Sequence, residues 1–147
     1  MFTQENAEDA ELYNHPLSYK VIGCAIEVHR QLGPGLLEST YESCLAHEMH
    51  LQKLSFKLQS PIPVVYKGVN LDCGYRADLI VEDFLIVELK SVDHSSKLHL
   101  AQLLTYMKLA EAPIGLLINF NVPILKQGIK KCAITKFSAY SAGSCVK

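Results

Sequence analysis

The feature that most constrains this chain is the stretch of residues 75–90, where a short acidic pair separates two apolar runs. This pattern predicts two buried strands joined by a tight turn. Three charged residues, Asp78, Glu88 and Lys90, interrupt the apolar runs. Burying an unpaired charge costs roughly several kcal/mol. The three charges therefore need a compensating partner, and a divalent metal ion is the simplest candidate.

The register of the predicted hairpin decides whether these charges meet. If the connection has an odd number of residues, centred on Asp83, then Asp78 lies opposite Glu88 and Arg76 lies opposite Lys90. Cross-strand partners have Cβ atoms about 4.5–5.5 Å apart, so two carboxylates there can share one ion. The same register also pairs apolar residues with each other, namely Ile80 with Ile86, Leu79 with Val87 and Val81 with Leu85. A two-residue turn would instead place the two carboxylates on opposite faces, and the site would need a bulge.

Two further motifs accompany the hairpin. The pattern G-x-x-E-x-x-Y is matched by Gly35, Glu38 and Tyr41, and Q-x-x-x-Y is matched by Gln102 and Tyr106. With D-x(n)-(D/E)-x-K at Asp78, Glu88 and Lys90, the three motifs resemble those of the PD-(D/E)XK nuclease superfamily, and of its small GxxExxY family. Ala77 stands where the superfamily's name has Pro. The resemblance covers about residues 17–137.

The resemblance implies metal-dependent hydrolysis of phosphodiester bonds in nucleic acid. Asp78, Glu88 and the Leu89 carbonyl would bind Mg²⁺ or Mn²⁺, hard cations that prefer oxygen ligands. Glu38 would hold a water on the metal or a second ion. Lys90 would either accept a proton from the water or remain cationic and stabilise the transition state. Two neighbouring carboxylates favour the cationic role.

Several of these residues also have a purely structural interpretation. Glu38 in the first turn of a helix complements the helix dipole, although the resemblance places it beside the metal. Tyr41 is either a core residue or a support for Glu38. A lone His29 on an amphipathic helix is more often a hydrogen-bonded structural group, and it is kept as a supporting candidate. Arg76 is equally consistent with a phosphate contact and with an ion pair to Asp78.

Gln102 and Tyr106 belong to a helix predicted from residue 97 to residue 110. With His99 they form a polar stripe beside its apolar side. An ordinary amphipathic helix explains this pattern. The superfamily motif favours a different interpretation, in which Gln102 and Tyr106 line the cleft and orient Lys90 or the substrate phosphate.

The order of predicted elements gives an α/β fold, a restriction-endonuclease-like core in which a mixed β-sheet is flanked by helices. Helices are expected over residues 16–32 and 36–53, and strands over residues 56–59, 62–66, 114–120 and 129–137. Residues 1–15 are predicted to be a flexible leader, residues 16–138 a single domain and residues 139–147 a loose tail. At 147 residues the chain fits one domain.

Charge and composition limit the partners. A net charge of −1 and the lack of a basic stripe argue against a nonspecific grip on long duplexes. No apolar run is long enough to span a membrane, and no signal peptide is indicated, so a cytoplasmic protein is predicted. The five cysteines are scattered without a C-x-x-C pair, which indicates reduced thiols or small core residues rather than a zinc or iron–sulfur site.

Two other hypotheses remain for the function. The chain is either an enzyme or a catalytically silent module that acts as a nucleic-acid-binding or protein-binding scaffold. The three hairpin charges also fit a simple salt-bridged cluster. Near-neutral charge and apolar composition make a homodimer or a protein partner a further prediction.

Overall fold

A six-stranded mixed β-sheet forms the centre of the protein, with strand order β1-β4-β5-β6-β7-β8. The computed structural model describes residues 4–135 and 144–146. The pairing of β5 with β6 is parallel, and the other pairs are antiparallel. The strands of this sheet are β1 (Phe56–Pro61), β4 (Arg76–Val81), β5 (Leu85–Lys90), β6 (Ile114–Asn119), β7 (Ile129–Ala133) and β8 (Ser144–Val146). A separate two-stranded sheet consists of β2 (Val64–Tyr66) and β3 (Val69–Leu71).

Helices cover both faces of the sheet, which confirms the predicted α/β, restriction-endonuclease-like fold class. They are α1 (Gln4–Tyr13), α2 (Pro16–Leu32), α3 (Glu38–Leu51) and α4 (Lys97–Ala110). The β5–β6 crossover passes through α4, as a parallel pair requires. Ser96 begins α4 with a reciprocal capping box to His99.

The two sheet faces bury different side chains. One face carries Leu79, Val87 and Leu116 against residues of α2 and α3, among them Val21 and Leu45. The other face carries Ile86 and Leu117 against Leu103 and Met107 of α4. Strand β6 is buried along its whole length, as its continuous apolar run predicts.

The hairpin between β4 and β5 has the odd-numbered connection. Leu79 pairs with Val87, Ile80 with Ile86 and Val81 with Leu85. Glu82 and Asp83 have φ values of 55° and 52°, and the Phe84 N–H closes the turn on the Val81 carbonyl over 3.0 Å. Glu82 and Asp83 are the two central residues of the turn from Val81 to Phe84, and their positive φ values match the twist of the flanking strands. Of the two registers that the sequence left open, the structure has the one with the odd-numbered connection, and it brings Asp78 and Glu88 to the same end of the two strands.

The ends of the chain differ from the expectation. The predicted flexible leader contains helix α1, and the Tyr13 carbonyl accepts a 2.9 Å hydrogen bond from Lys131 of β7. The aromatic rings of Tyr13 and Tyr19 lie within 4.5 Å of the same ammonium group. The predicted loose tail, residues 139–147, falls largely outside the described residues, but within it Ser144–Val146 form β8.

Two smaller expectations also need correction. The strand predicted over residues 62–66 is shorter, because Ile62 points into the core and pairing begins only at Val64. Cys24, Cys44 and Cys73 are free, whereas Cys132, which pairs with Cys145 in the β7–β8 register, is disulfide-bonded. The expectation of reduced thiols therefore holds for the first three, and the alternative of a small core residue holds for Cys132, which is fully buried.

None of the helices in the described ranges has the length and apolar character that crossing a bilayer requires.

Candidate active site

Asp78 and Glu88 meet at the end of the β4–β5 hairpin through reciprocal hydrogen bonds. The backbone N–H of Asp78 donates to Oε1 of Glu88 over 3.1 Å. The backbone N–H of Leu89 donates to Oδ2 of Asp78 over 2.8 Å. Each carboxylate thus binds the backbone of the opposite strand. Regular β4–β5 pairing ends one residue earlier, at Leu79 and Val87, so side-chain oxygens replace the ladder at this point.

The ladder is also interrupted on the β1 side of Asp78. Leu58 pairs with Leu79 and Ser60 pairs with Ala77, but Gln59, which stands between them, has a φ of 48°. This left-handed conformation is uncommon for a residue with a side chain and is concentrated at functional sites. The break leaves Asp78 outside regular pairing on both sides, and its side chain is half-buried.

Gln59 also links Asp78 to helix α3. Its Nε2 donates to Oδ1 of Asp78 over 3.3 Å and to Oε1 of Glu42 over 2.7 Å. Together with Glu38, Ser39 and Leu89, these residues line a concave space of about 270 Å³. The candidate site is therefore an acidic cleft between the first turns of α3 and the ends of β4 and β5.

Burial changes the acidity of one carboxyl group. Glu88 is only 5 % exposed. Burial, followed by repulsion from Asp78, raises the pKa of Glu88 from 4.5 to about 8, while Lys90 acts in the opposite direction. Without a bound cation Glu88 is thus mostly protonated at neutral pH. A carboxyl group held neutral by burial and by a neighbouring carboxylate is one that a divalent cation would ionise.

Glu38 is held at the cleft by Ser91, the residue that follows Lys90. The Ser91 N–H donates to Oε1 of Glu38 over 3.3 Å, and the Ser91 hydroxyl donates to the Leu36 carbonyl over 2.6 Å. These bonds connect the end of β5 to the start of α3. Glu38 is exposed and occupies the first turn of the helix, where its charge also complements the helix dipole.

Tyr41 fixes the loop that leads into α3. It is fully buried, its ring stacks on Phe120 at 4.3 Å, and its hydroxyl donates to the Gly33 carbonyl over 2.6 Å. The same hydroxyl accepts a hydrogen bond from the Leu36 N–H over 3.2 Å. Both interpretations of Tyr41 therefore apply, because it is a core residue whose polar end shapes the loop before Glu38.

His29 has a structural partner. Its Nε2 lies 2.8 Å from the Val122 carbonyl, and its ring lies 6.4 Å from that of Phe120. These contacts join α2 to the segment after β6. They place His29 behind Phe120 and Tyr41 rather than among the cleft-lining residues.

Lys90 and Arg76 form no salt bridge with any residue in the described ranges. The ion pairs found there, Arg30 with Glu27 and Lys57 with Asp83, involve other side chains. The salt bridges that a structural cluster at the hairpin would need are therefore absent among the described residues. The ion pair of Arg76 with Asp78 is absent from this part of the chain as well.

Gln102 and Tyr106 lie on α4, on the sheet face opposite α3. The Gln102 amide donates to the Tyr106 hydroxyl over 3.0 Å, and the Tyr106 ring lies 5.9 Å from that of Tyr75. Burial raises the pKa of the Tyr106 hydroxyl, and the negative charges of Glu88 and Asp78 raise it further.

The carboxylate oxygens of Asp78 and Glu88 are ligands of the kind that a hard divalent cation prefers, but they are only two. Asp78 and Glu88 supply two carboxylates in direct contact with each other's strands. Across residues 4–135, however, no three Asp, Glu, His or Cys side chains converge closely enough to hold a metal by themselves. Glu38 therefore does not complete a three-carboxylate cluster with Asp78 and Glu88 among the described residues.

The sequence profile of the PD-(D/E)XK nuclease superfamily matches residues 15–132. The chain belongs to this superfamily. The matched range contains all three motifs, and superfamily membership confirms the resemblance inferred from them. PD-(D/E)XK nucleases generally use divalent metals, which agrees with the donors at the β4–β5 hairpin. A search of curated proteins and a search of solved structures found no match.

Three residues of this PD-(D/E)XK site were not predicted from the sequence. They are Ser91, Gln59 and Glu42, which hold Glu38 and Asp78 in place. Ser91 directly follows the ExK motif, and that position is the signal that could have identified it. Gln59 and Glu42 carry no comparable signal, because their role depends on the left-handed turn in β1.

Proposed function

We propose that this protein is a metal-dependent nuclease that hydrolyses phosphodiester bonds in nucleic acid. The observation that supports this most directly is the pair of hydrogen bonds where the sheet ladder ends: the Asp78 N–H donates to the Glu88 carboxyl group, and the Leu89 N–H donates to the Asp78 carboxylate. A hairpin that served only the core would continue its ladder there. The interruption instead leaves Asp78 lining a cleft of about 270 Å³, with the nearly buried Glu88 carboxyl group bonded to its backbone.

Asp78, Glu88 and the Leu89 carbonyl would hold one Mg²⁺ or Mn²⁺. When bound, such an ion lowers the pKa of an attacking water and neutralises charge on the phosphate. Glu38, held by Ser91, would orient that water from the opposite wall of the cleft. The Gln59 amide donates to Oδ1 of Asp78, and the Leu89 N–H donates to Oδ2. Because both oxygens accept a hydrogen bond, the Asp78 carboxylate would be kept from rotating away.

Lys90 would act as a cation that stabilises charge in the transition state. It has no carboxylate partner among the described residues, so its ammonium group is available to substrate. Tyr106 and Gln102 would orient the phosphate from the α4 side. Arg76, exposed and without an ion pair, would contact a substrate phosphate. Tyr41 and His29 would maintain the loop and the packing behind Glu38.

The GxxExxY family assignment, the cytoplasmic location and the homodimer or protein partner remain part of this proposal. The family assignment is supported by two residues of the motif that have a physical role: the Tyr41 hydroxyl bonds Gly33 and Leu36 in the loop before α3, and Glu38 accepts from the Ser91 N–H.

A cleavage assay tests the proposal. Supercoiled plasmid and end-labelled single-stranded DNA and RNA are incubated with the protein in Mg²⁺, in Mn²⁺ and in EDTA. We expect cleavage that requires metal and falls at least about 100-fold in Asp78→Asn and in Glu88→Gln. Asp83→Asn, in the exposed turn of the same hairpin, serves as the matched control. If the unmutated protein cleaves none of these substrates, the alternative of a catalytically silent binding module replaces the nuclease.

A further inference from the structure

The β2–β3 hairpin projects from the central sheet between β1 and β4 and leaves an apolar face uncovered. Val64 pairs with Leu71 and Tyr66 pairs with Val69, so these four side chains share one face. Tyr66 is 60 % exposed, and Val69 is 55 % exposed. A two-stranded sheet is marginally stable by itself, and an exposed apolar face commonly marks a binding surface.

The base of this hairpin is fixed beside the candidate active site. The Ile62 N–H donates to the Tyr75 carbonyl over 2.9 Å, and Ile62 is buried in the same core cluster as Tyr106. The Tyr75 ring lies 5.9 Å from the Tyr106 ring. Gly74, with a φ of 79° and its N–H bonded to Asp72, turns the chain into β4. The hairpin therefore continues directly into the strand that carries Asp78.

Charge at the hairpin favours a polyanion: between residues 62 and 76 the charged residues are Lys67, Asp72 and Arg76, two cations and one anion with a net charge of +1. Lys67 lies at the tip, with its ammonium group 5.5 Å from the centre of the Tyr66 ring. Arg76 lies at the base and is exposed. Neither side chain makes an ion pair within the described part of the chain. Two cations and two exposed tyrosine rings, Tyr66 and Tyr75, thus lie on the hairpin and on the segment that leads into β4.

The overall charge favours single strands over duplex. A net charge of −1 and an acidic cleft give little phosphate neutralisation, which is the main source of affinity for duplex. Single-strand binding depends more on stacking of bases on aromatic side chains, which contributes about 1–3 kcal/mol per base. Exposed tyrosines with adjacent cations are the side chains that this kind of binding uses.

We infer that the β2–β3 hairpin is a binding surface for single-stranded nucleic acid, in which Tyr66 and Tyr75 stack on bases and Lys67 and Arg76 contact phosphates. The inference rests on the proposed function for its connection to the cleft, and it names that function's substrate class. DNA and RNA share the required chemistry, namely unstacked bases on a phosphate backbone.

Fluorescence anisotropy tests this inference independently of cleavage. Labelled 12-nucleotide single strands of DNA and of RNA, and a 12-base-pair DNA duplex, are titrated in EDTA. We expect a single strand of at least one type to bind more tightly than the duplex. Tyr66→Ala should weaken single-strand binding at least about fivefold, while Tyr66→Phe, which keeps the ring, should stay within about twofold.

Two more variants control this experiment. Lys67→Gln should make binding less salt-dependent by about one phosphate contact. Leu51→Ala removes an equally exposed apolar side chain at the far end of α3, about 20 Å along the helix from Glu38, and should leave binding unchanged. Circular dichroism and thermal unfolding of each variant check the fold.

The results separate the two proposals. Binding that depends on Tyr66 in a protein that cleaves nothing would support the hairpin inference and contradict the nuclease. Metal-dependent cleavage with single-strand binding unaffected by Tyr66→Ala would overturn the hairpin inference alone. A self-association that Tyr66→Ala abolishes, without single-strand binding by the unmutated protein, would show that a second copy covers this face and would also overturn it.

Discussion

The backbone N–H of Asp78 donates a 3.1 Å hydrogen bond to the Glu88 carboxyl group, and the Asp78 carboxylate in turn accepts one from the residue after Glu88. The two acids therefore hold each other in place across the strands. This arrangement puts a nearly buried carboxyl group beside another carboxylate. Its consequences for acidity, stability and metal binding can each be measured.

The first prediction concerns the pH dependence of stability without metal. The pKa of Glu88 is about 8 in the folded protein, against an ordinary value of 4.5. The folded state holds this proton more tightly than the unfolded chain does. The stabilisation from Glu88 is therefore fully present below pH 4.5 and is lost as the pH rises through about 8. Urea unfolding in EDTA from pH 5 to pH 9 measures this fall.

Glu88→Gln is the matched variant for that measurement, because a neutral amide of the same size has no proton to lose. The free energy of unfolding should fall more steeply with pH in the unmutated protein than in this variant. Identical slopes in the two proteins would show that Glu88 has an ordinary acidity in the folded state.

The second prediction concerns Ser91. Replacing it with Ala removes the hydroxyl that holds the Leu36 carbonyl and loosens the loop before Glu38. We expect metal-dependent cleavage to fall roughly 10-fold to 100-fold, the usual effect of losing a residue that orients a metal-site group. Ser95→Ala, in the same loop, is the control and should cleave normally. Equal cleavage rates in both variants would contradict the role assigned to Ser91.

The third prediction concerns Tyr41. Tyr41→Phe keeps the stacking on Phe120 but leaves the Leu36 N–H and the Gly33 carbonyl without this partner. Losing the hydroxyl from a fully buried site should lower the free energy of unfolding by about 1–3 kcal/mol. Urea unfolding monitored by circular dichroism measures the change. A stability equal to that of the unmutated protein would mean that the hydroxyl bonds contribute nothing net.

The fourth prediction concerns Gly128. A Cβ there would collide with the Asn119 carbonyl oxygen, a backbone atom that cannot easily move. The Asn119 side chain holds the Val92 backbone through two hydrogen bonds of 3.1 and 2.9 Å. Gly128→Ala should therefore destabilise the protein by about 1–3 kcal/mol.

Gly23→Ala is the control for that substitution, because a Cβ at Gly23 meets open space on helix α2. It should raise stability by about 0.5–1 kcal/mol, since Ala has the higher helix propensity. Thermal unfolding of the two variants gives opposite shifts on this account. A Gly128→Ala protein as stable as Gly23→Ala would show that the segment around Asn119 can relax.

The sequence predicted those elements whose form depends on residues close together in the chain, namely the β4–β5 hairpin and helix α4. The β4–β5 register that pairs apolar residues, such as Ile80 with Ile86, is the one present, although the sequence alone left it open against a two-residue turn. Helix α4 has the predicted bounds, 97 to 110, because its apolar periodicity lies between a capping serine and Pro113. The residues Asp78, Glu88 and Lys90 were predicted as site candidates because charged side chains inside an apolar strand are costly to bury without a partner.

The remaining features depend on contacts between distant parts of the chain. Ser91 reaches Leu36 across 55 positions, and Lys131 reaches Tyr13 across 118. The second contact explains why the leader is ordered as a helix against β7 although its own sequence is polar. Gln59 adopts a left-handed conformation with no glycine to indicate it. Such features arise from tertiary packing, which single-sequence propensities do not describe.

Calorimetric titration with Mn²⁺ measures directly whether Asp78 and Glu88 together hold one divalent cation. We predict a single binding event in the unmutated protein that both Asp78→Asn and Glu88→Gln abolish. Asp83→Asn should leave it intact. Absence of binding in the unmutated protein, or binding that persists when both carboxylates are removed, would contradict the account.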